Sequence, residues 1–381
     1  MQHHSEDDGD GDVNTEDVTA VDVHRHLASS TSIAELTDRD REARARARAR
    51  VDDDDRGGLK SCNRNLALEM VRVTESGAVA AARWLGKGEK RAADAAAVEA
   101  MRDALQLVRF DGVVVVGEKE KDAAPMLRRG ERVGTGDDPS VDIAIDPIEG
   151  TSLVAHGRNG GAISVIAIAE RGAMYDPGEI FYFNKLAVGP RCVDVVDIRK
   201  SPTLNIHAIA KALKKPVGDV TCVVLDRPRH EGLIEEIRLA GARIKLISDG
   251  DVEAAVACCD PDSGVDALFG VGGTPEGVIA AAAMRCMGGA IQAELWTRNT
   301  ADAAAIAKCG GDLGKVLHTK DLCGGSECFF AATGITDGSL LKGVRFTSKG
   351  PVSHSIVMRA PSGTVRELTT RHHAHACEYF L

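Results

Sequence analysis

Two carboxylates, a flexible glycine and a hydroxyl stand together at Asp146-Pro147-Ile148-Glu149-Gly150-Thr151. Carboxylate oxygens suit a hard divalent cation, Mg²⁺ or Mn²⁺. Unpartnered amides at a helix start, reinforced by the helix dipole, suit a phosphate. Side by side, these groups point to metal-assisted hydrolysis of a phosphate ester. The same residue types also build ordinary surface turns. The hexapeptide alone leaves both readings open.

The elements that must position these groups are legible around them. Val141, Ile143 and Ile145 alternate with Asp142 and Ala144, the period of a strand, and the run stops at Asp146. Pro147 pre-sets a turn, and Gly150-Thr151-Ser152 opens a helix. Upstream, Leu66, Met70, Val73, Ala81, Trp84 and Leu85 recur at helical spacing, and Gly86-Lys87-Gly88 ends that helix. A second helical face runs through Val98, Met101, Leu105 and Val108. Asp94 stands near its start, where spacing alone reads it as charge placed against the dipole. Val113 to Val116 is a strand running into Gly117-Glu118-Lys119-Glu120, acids that read by themselves as a loop.

Further strands are expected at 162–167 and 185–188. The second half then alternates: strand 221–225, helix 231–239, strand 243–247, helix 252–259, strand 265–269, a glycine-rich exit at 270–277, and a helix to Met287. Strands close the chain at 353–359 and 363–368. His372, His373 and His375 read as a solvated tail. Strand–helix alternation predicts a layered α/β fold. Polar clusters follow the strands, where open α/β sheets place their ligands.

Composition excludes several classes. Hydrophobic residues make up 44% of 381, enough for a large core, while aromatics at 3% supply few stacking platforms for nucleic acid. No apolar run approaches the ~20 residues of a membrane span. Residues 1–58 hold 16 acidic and 8 basic side chains, so most of the formal charge of -10 belongs to them. Acidic patches there flank an Arg-Ala repeat from Arg44 to Arg50, and they would compete with nucleic acid for those arginines. This stretch is expected to be a disordered acidic tail. Deleting it should leave hydrolytic turnover intact; a large loss of kcat with the fold retained would contradict that. Ten cysteines without a Cys-x-x-Cys spacing, and no secretory signal, read as reduced thiols of a cytoplasmic protein. No thiol/His cluster has zinc-finger spacing.

Several stretches in order resemble class II fructose-1,6-bisphosphatases, within the broader lithium-sensitive sugar phosphatase and inositol monophosphatase superfamily. They are Leu85-Gly-Lys-Gly-Glu-Lys90, Ala93-Asp94, Gly117-Glu118, Asp146 to Thr151, Arg229-His230, Asp249-Gly-Asp251, Gly273-Thr-Pro-Glu-Gly277 and Ala332-Thr-Gly-Ile-Thr336. The resemblance runs from about Leu66 to near the C-terminus. It implies an α-β-α-β-α sandwich and hydrolysis of a sugar 1-phosphate. Its motifs make Asp94, Glu118, Asp146, Glu149 and Glu276 the metal carboxylates for Mg²⁺ or Mn²⁺. Thr151, with Glu118 beside it, would orient the attacking water, and Lys90 would sit close by. Glu149, Gly150, Thr151, Tyr182, Arg227, Arg229, Asp249 and Asp251 would hold the sugar bisphosphate.

The resemblance further implies a dimer or tetramer, while the composition leads to the expectation of no nucleic-acid or membrane partner. The chain is expected to divide into the tail (1–58), a metal-binding catalytic half (59–190) and a sugar-phosphate-binding half with the C-terminal strands (191–381). The stretch Leu153-Val-Ala-His-Gly157 is similar to that of photosynthetic microbes, whose members often also act on sedoheptulose 1,7-bisphosphate, and it adds the plastid stroma as a second compartment. Departures exist. Lys119 replaces a family glycine, Ala92-Ala93-Asp94-Ala95 replaces Thr-Ala-Asp-Gly, and Arg227 stands where lysine is common. A required positive φ at 95 or 119 would force a shift of the loop. An inactive sugar-phosphate sensor is the reading of another class.

Overall fold

In the computed structural model the chain divides into two units, Met1–Ser61 and Cys62–Leu381. The residues described are 65–118, 126–178, 180–308 and 312–373, all in the second unit. The expectations for the tail and for Lys119 fall outside them.

Fourteen strands form two sheets among these residues. The first sheet takes β1 (Asp111–Val116), β2 (Arg132–Val133), β3 (Ser140–Glu149) and β4 (Ile163–Glu170). The second takes β5 (Tyr182–Val188), β6 (Thr221–Leu225), β7 (Arg243–Ile247), β8 (Ala267–Gly273), β9 (Ala290–Leu295) and β10 (Val316–His318). The chain then returns to the first sheet with β11 (Cys328–Gly334), β12 (Arg345–Thr347), β13 (Gly350–Arg359) and β14 (Thr364–Arg371). The orders are β12-β13-β11-β4-β3-β1-β2, with β14 on β13, and β10-β9-β5-β8-β6-β7.

Helices fill three layers. They are α1 (Leu66–Ala82), α2 (Lys90–Gln106), α3 (Thr151–His156), α4 (Pro202–Leu213), α5 (Glu231–Leu239), α6 (Asp251–Ala257), α7 (Thr274–Met287), α8 (Thr300–Lys308) and α9 (Thr319–Leu322). Leu66, Met70 and Val73 of α1 and Val98, Met101 and Leu105 of α2 pack on Ile143, Ile166 and Phe329 of the first sheet. The other face of that sheet, through Val165 and Ala167, meets α6, α7 and the second sheet. Ile206 and Ile209 of α4 and Ile234 and Ile237 of α5 cover the far face of the second sheet. The result is the α-β-α-β-α order. Each large side chain fully buried in these interfaces is worth ~1.5–3 kcal/mol. Gly77 lets α1 lie against α2, since a Cβ there would stand 2.6 Å from both Met101 Cγ and Ser164 Oγ.

Three expectations need correction, each for a local reason. β3 does not stop at Asp146 but runs on to Glu149, with its register against β4 slipping between those two residues. Pro147 lies inside that irregularity, a place where a missing ladder donor is tolerated. β8 likewise continues through Gly270–Gly273, expected as loop. A Cβ on Gly272 would lie 2.0 Å from Asp251 Oδ2, and one on Gly273 would lie 1.7 Å from Glu276 Oε2. The glycines are there because carboxylates cross this strand, not because the strand has ended. His372 is not a free tail residue: its Nε2 is 2.8 Å from Ser353 Oγ. His375 lies outside the described residues. Helix boundaries moved less: α1 ends at Ala82, before the Gly86-Lys87-Gly88 stop, and α6 begins one residue early at Asp251.

The seven described cysteines are all free and buried. Cys323 and Cys328, five residues apart, bring their sulfurs to 3.6 Å. No helix among the described residues is long and apolar enough to cross a membrane.

Candidate active site

Two loops of the same design face each other. Glu149-Gly150-Thr151-Ser152 leads from β3 into α3, and Asp249-Gly250-Asp251-Val252 leads from β7 into α6. Both glycines adopt the left-handed conformation, with φ of 98° and 78°. That conformation strains any residue with a Cβ. The amide of Val252 donates to Glu149 Oε1 at 2.8 Å, and the amide of Ser152 donates to Asp249 Oδ2 at 3.2 Å. Each loop's acid thus caps the opposite helix. The Ser152 amide, expected to be open to a phosphate, is engaged by Asp249.

Carboxylates crowd this junction. Burial pushes the Glu149 carboxyl well above its usual range, and the negative charges of Asp251, Asp146 and Glu276 push it further. Asp146 Oδ1 accepts the amide of Ile148 at 3.0 Å, which fixes the carboxylate at the strand irregularity. Glu276 comes from the first turn of α7, immediately after β8. Glu118 is placed by register. β1 and β3 are parallel with Val116 opposite Ala144, and Glu118 and Asp146 each lie two residues further on. Asp94 is on α2, where its neighbours Ala93 and Ala97 pack against Ile148, Leu153 and Val154. Ala95 is inside α2, so the glycine usual in that motif is not required by backbone conformation here.

Among the described residues, no three acids, histidines or cysteines close to metal-ligating spacing. The donor chemistry nonetheless fits a hard divalent cation. Glu149, Asp146 and Glu276 press negative charge on one buried point, and a buried carboxylate group of this kind is relieved by a cation.

Thr151 begins α3, and its hydroxyl donates to the Ile148 carbonyl at 3.1 Å. With the proton committed there, the oxygen is left to act as an acceptor. Lys90, the first residue of α2, donates to Ser152 Oγ at 2.8 Å, so it stands one residue from Thr151.

The residues that the resemblance assigns to the sugar gather at the ends of β6 and β8. Arg227 Nη2 is 3.6 Å from Asp249 Oδ1. Arg229 donates from Nε and Nη2 to the Val271 carbonyl, at 3.2 and 2.7 Å, and its guanidinium lies 5.5 Å from the centre of the Tyr182 ring. Arg298 stacks on the same ring at 5.3 Å, and Trp296 meets it edge-on. Two functional supports were not read from the sequence as such. His230, quoted only as part of a motif, has Nδ1 2.7 Å from the Leu225 carbonyl, and its Nε2 accepts from the Val271 amide at 2.8 Å. The ring is therefore neutral, and burial pushes its pKa down. It ties β6 to β8 beside Arg229. Lys185, read only as a strand residue, forms a buried ion pair with Asp251.

Relatives from Crocosphaera subtropica and Synechocystis sp. are 43% and 42% identical over 332 residues, and one from Trichodesmium erythraeum is 42% identical over 337. Each comparison covers 81% of this chain and 96% of the relative, and each relative is named D-fructose 1,6-bisphosphatase class 2/sedoheptulose 1,7-bisphosphatase. Residues 64–372 match the family described as bacterial fructose-1,6-bisphosphatase, glpX-encoded. The chain belongs to that family.

Proposed function

We infer that this protein is a phosphoric monoester hydrolase that removes the 1-phosphate of D-fructose 1,6-bisphosphate, giving fructose 6-phosphate and phosphate. The carrying observation is the pair of facing acid-glycine loops. They set Glu149 and Asp251 at one buried junction on which Asp146 and Glu276 also press their charge, with Arg227 beside Asp249 and Arg229 close by. The names of the relatives support a second substrate, sedoheptulose 1,7-bisphosphate.

In this reading Asp94, Glu118, Asp146, Glu149 and Glu276 would hold Mg²⁺ or Mn²⁺. When bound, the cation supplies charge neutralisation to the phosphoryl group in flight. Thr151 accepts a hydrogen bond from the attacking water and so orients it, with Glu118 as the neighbouring acid. Lys90 lends positive charge beside the leaving phosphate. Gly150 allows the backbone to approach it. Asp249 and Asp251 bind sugar hydroxyls, Tyr182 borders the sugar, and Arg227 and Arg229 anchor the phosphate that is not cleaved.

Arg229→Ala should raise KM for fructose 1,6-bisphosphate by roughly tenfold to a hundredfold with a smaller change in kcat. An unchanged KM would place the distal phosphate elsewhere. Comparing kcat/KM for the two bisphosphates tests the substrate reading. Comparable values mean a bifunctional enzyme; binding of either sugar without phosphate release would instead identify a sensor.

The wider kinship with inositol monophosphatases is part of this proposal, and the five alternating layers support it. Two anchoring arginines argue against an inositol monophosphate as substrate. Seven free, buried thiols suit a reducing compartment, the cytoplasm or a plastid stroma. We expect a homo-oligomer, a dimer or tetramer, and no nucleic-acid or membrane partner.

A further inference from the structure

Lys185 lies on β5, is 2% exposed, and has no place in the chemistry described above. Its ammonium is 2.5 Å from Asp251 Oδ2 and 3.3 Å from the Gly273 carbonyl. Burying an ammonium in a core is costly, and an aliphatic side chain at this strand position would serve packing better. The surroundings are cut to admit it. A Cβ on Gly272 would stand 2.6 Å from its Nζ, and one on Gly277 would stand 3.5 Å from its Cδ. The lysine therefore threads between β8 and the first turn of α7, at the place where Glu276 leaves the backbone.

Its partner explains the cost. Asp251 opens α6, and its charge bears directly on Glu149. With Oδ2 held by Lys185, rotation of the carboxylate is restrained, and Oδ1 is the oxygen offered to a ligand. Without Lys185, Asp251 would be one more uncompensated negative charge beside Asp146, Glu149 and Glu276.

We propose that Lys185 is a positioning residue for sugar recognition: it fixes Asp251 so that Oδ1 meets a sugar hydroxyl, and its positive charge offsets part of the negative charge that Asp251 adds beside the metal carboxylates. This rests on the reading of Asp251 as a substrate ligand.

The test is a Lys185→Met variant of the full chain, assayed by phosphate release over ranges of fructose 1,6-bisphosphate and Mg²⁺. KM for the sugar should rise about tenfold or more, while kcat changes less. The Mg²⁺ concentration for half-activation should stay the same or fall, because the junction becomes more negative. A purely structural lysine predicts another pattern: fewer folded molecules, hence lower kcat, with KM unchanged.

Should Lys185→Met fail to fold, Asp251→Asn is compared with the double variant Lys185→Met/Asp251→Asn, which removes both charges. KM should then be the same in the two, since Lys185 acts only through Asp251. A further rise in KM in the double variant, or an unchanged KM in a folded Lys185→Met enzyme, overturns the inference and leaves the hydrolase reading standing. No phosphate release by the wild type overturns both.

Discussion

An Asp146→Asn enzyme should turn over fructose 1,6-bisphosphate more than about 10³ times more slowly than the wild type, beyond the loss usual for one preorganised contact. The substitution is nearly isosteric. An asparagine Oδ1 can still accept the Ile148 amide that now bonds Asp146 at 3.0 Å, so the strand irregularity should survive. What disappears is one negative charge beside Glu149, Asp251 and Glu276. If Asp146 is a metal ligand, that loss weakens the grip on the cation and leaves the phosphoryl group less neutralised. Excess Mn²⁺ should recover only part of the activity. If Asp146 only shapes a turn, asparagine serves nearly as well, and near-normal turnover at ordinary Mg²⁺ would remove this stretch from the catalytic site. Measuring kcat together with the metal activation curve separates the two.

Thr151→Ala should lower kcat by about 10²–10³ while leaving metal activation close to normal. The hydroxyl bonds the Ile148 carbonyl at 3.1 Å, so its loss also removes one local hydrogen bond, worth ~1 kcal/mol. That stability cost is far smaller than the kinetic one expected. Thr151→Ser keeps the oxygen and should restore most of the turnover. If alanine and serine variants behave alike, the hydroxyl does not orient the water.

Much of this architecture is legible in the chain. Strand 221–225, helix 231–239 and strand 243–247 occur at those residues because their periodicities are clean and Pro, Gly and Asp punctuate them. Local pattern failed where crossing side chains and a register slip override it. At Pro147, Gly270 and Gly272-Gly273, punctuation residues sit inside strands, the first at a register slip, the second against the His230 ring and the last two beneath passing carboxylates. The facing of the two loops was invisible to periodicity, because the bonds from Ser152 to Asp249 and from Val252 to Glu149 join positions about a hundred residues apart. A signal did exist: the acid-Gly-x pattern occurs both at Glu149-Gly150-Thr151 and at Asp249-Gly250-Asp251, each time just before a helix. Lys185 gave none. A lysine in a half-apolar strand reads as solvent-facing, and only its burial against Asp251 shows otherwise.

These acids and Thr151 are proposed to carry out cation-dependent hydrolysis of a sugar bisphosphate. Phosphate release from fructose 1,6-bisphosphate by the full wild-type chain, with Mg²⁺ or Mn²⁺ and then with a chelator in excess, tests it most directly. The account predicts one phosphate and one fructose 6-phosphate per substrate, abolished by the chelator and restored when the cation is returned. No release above the uncatalysed rate, or release that the chelator leaves untouched, would contradict it.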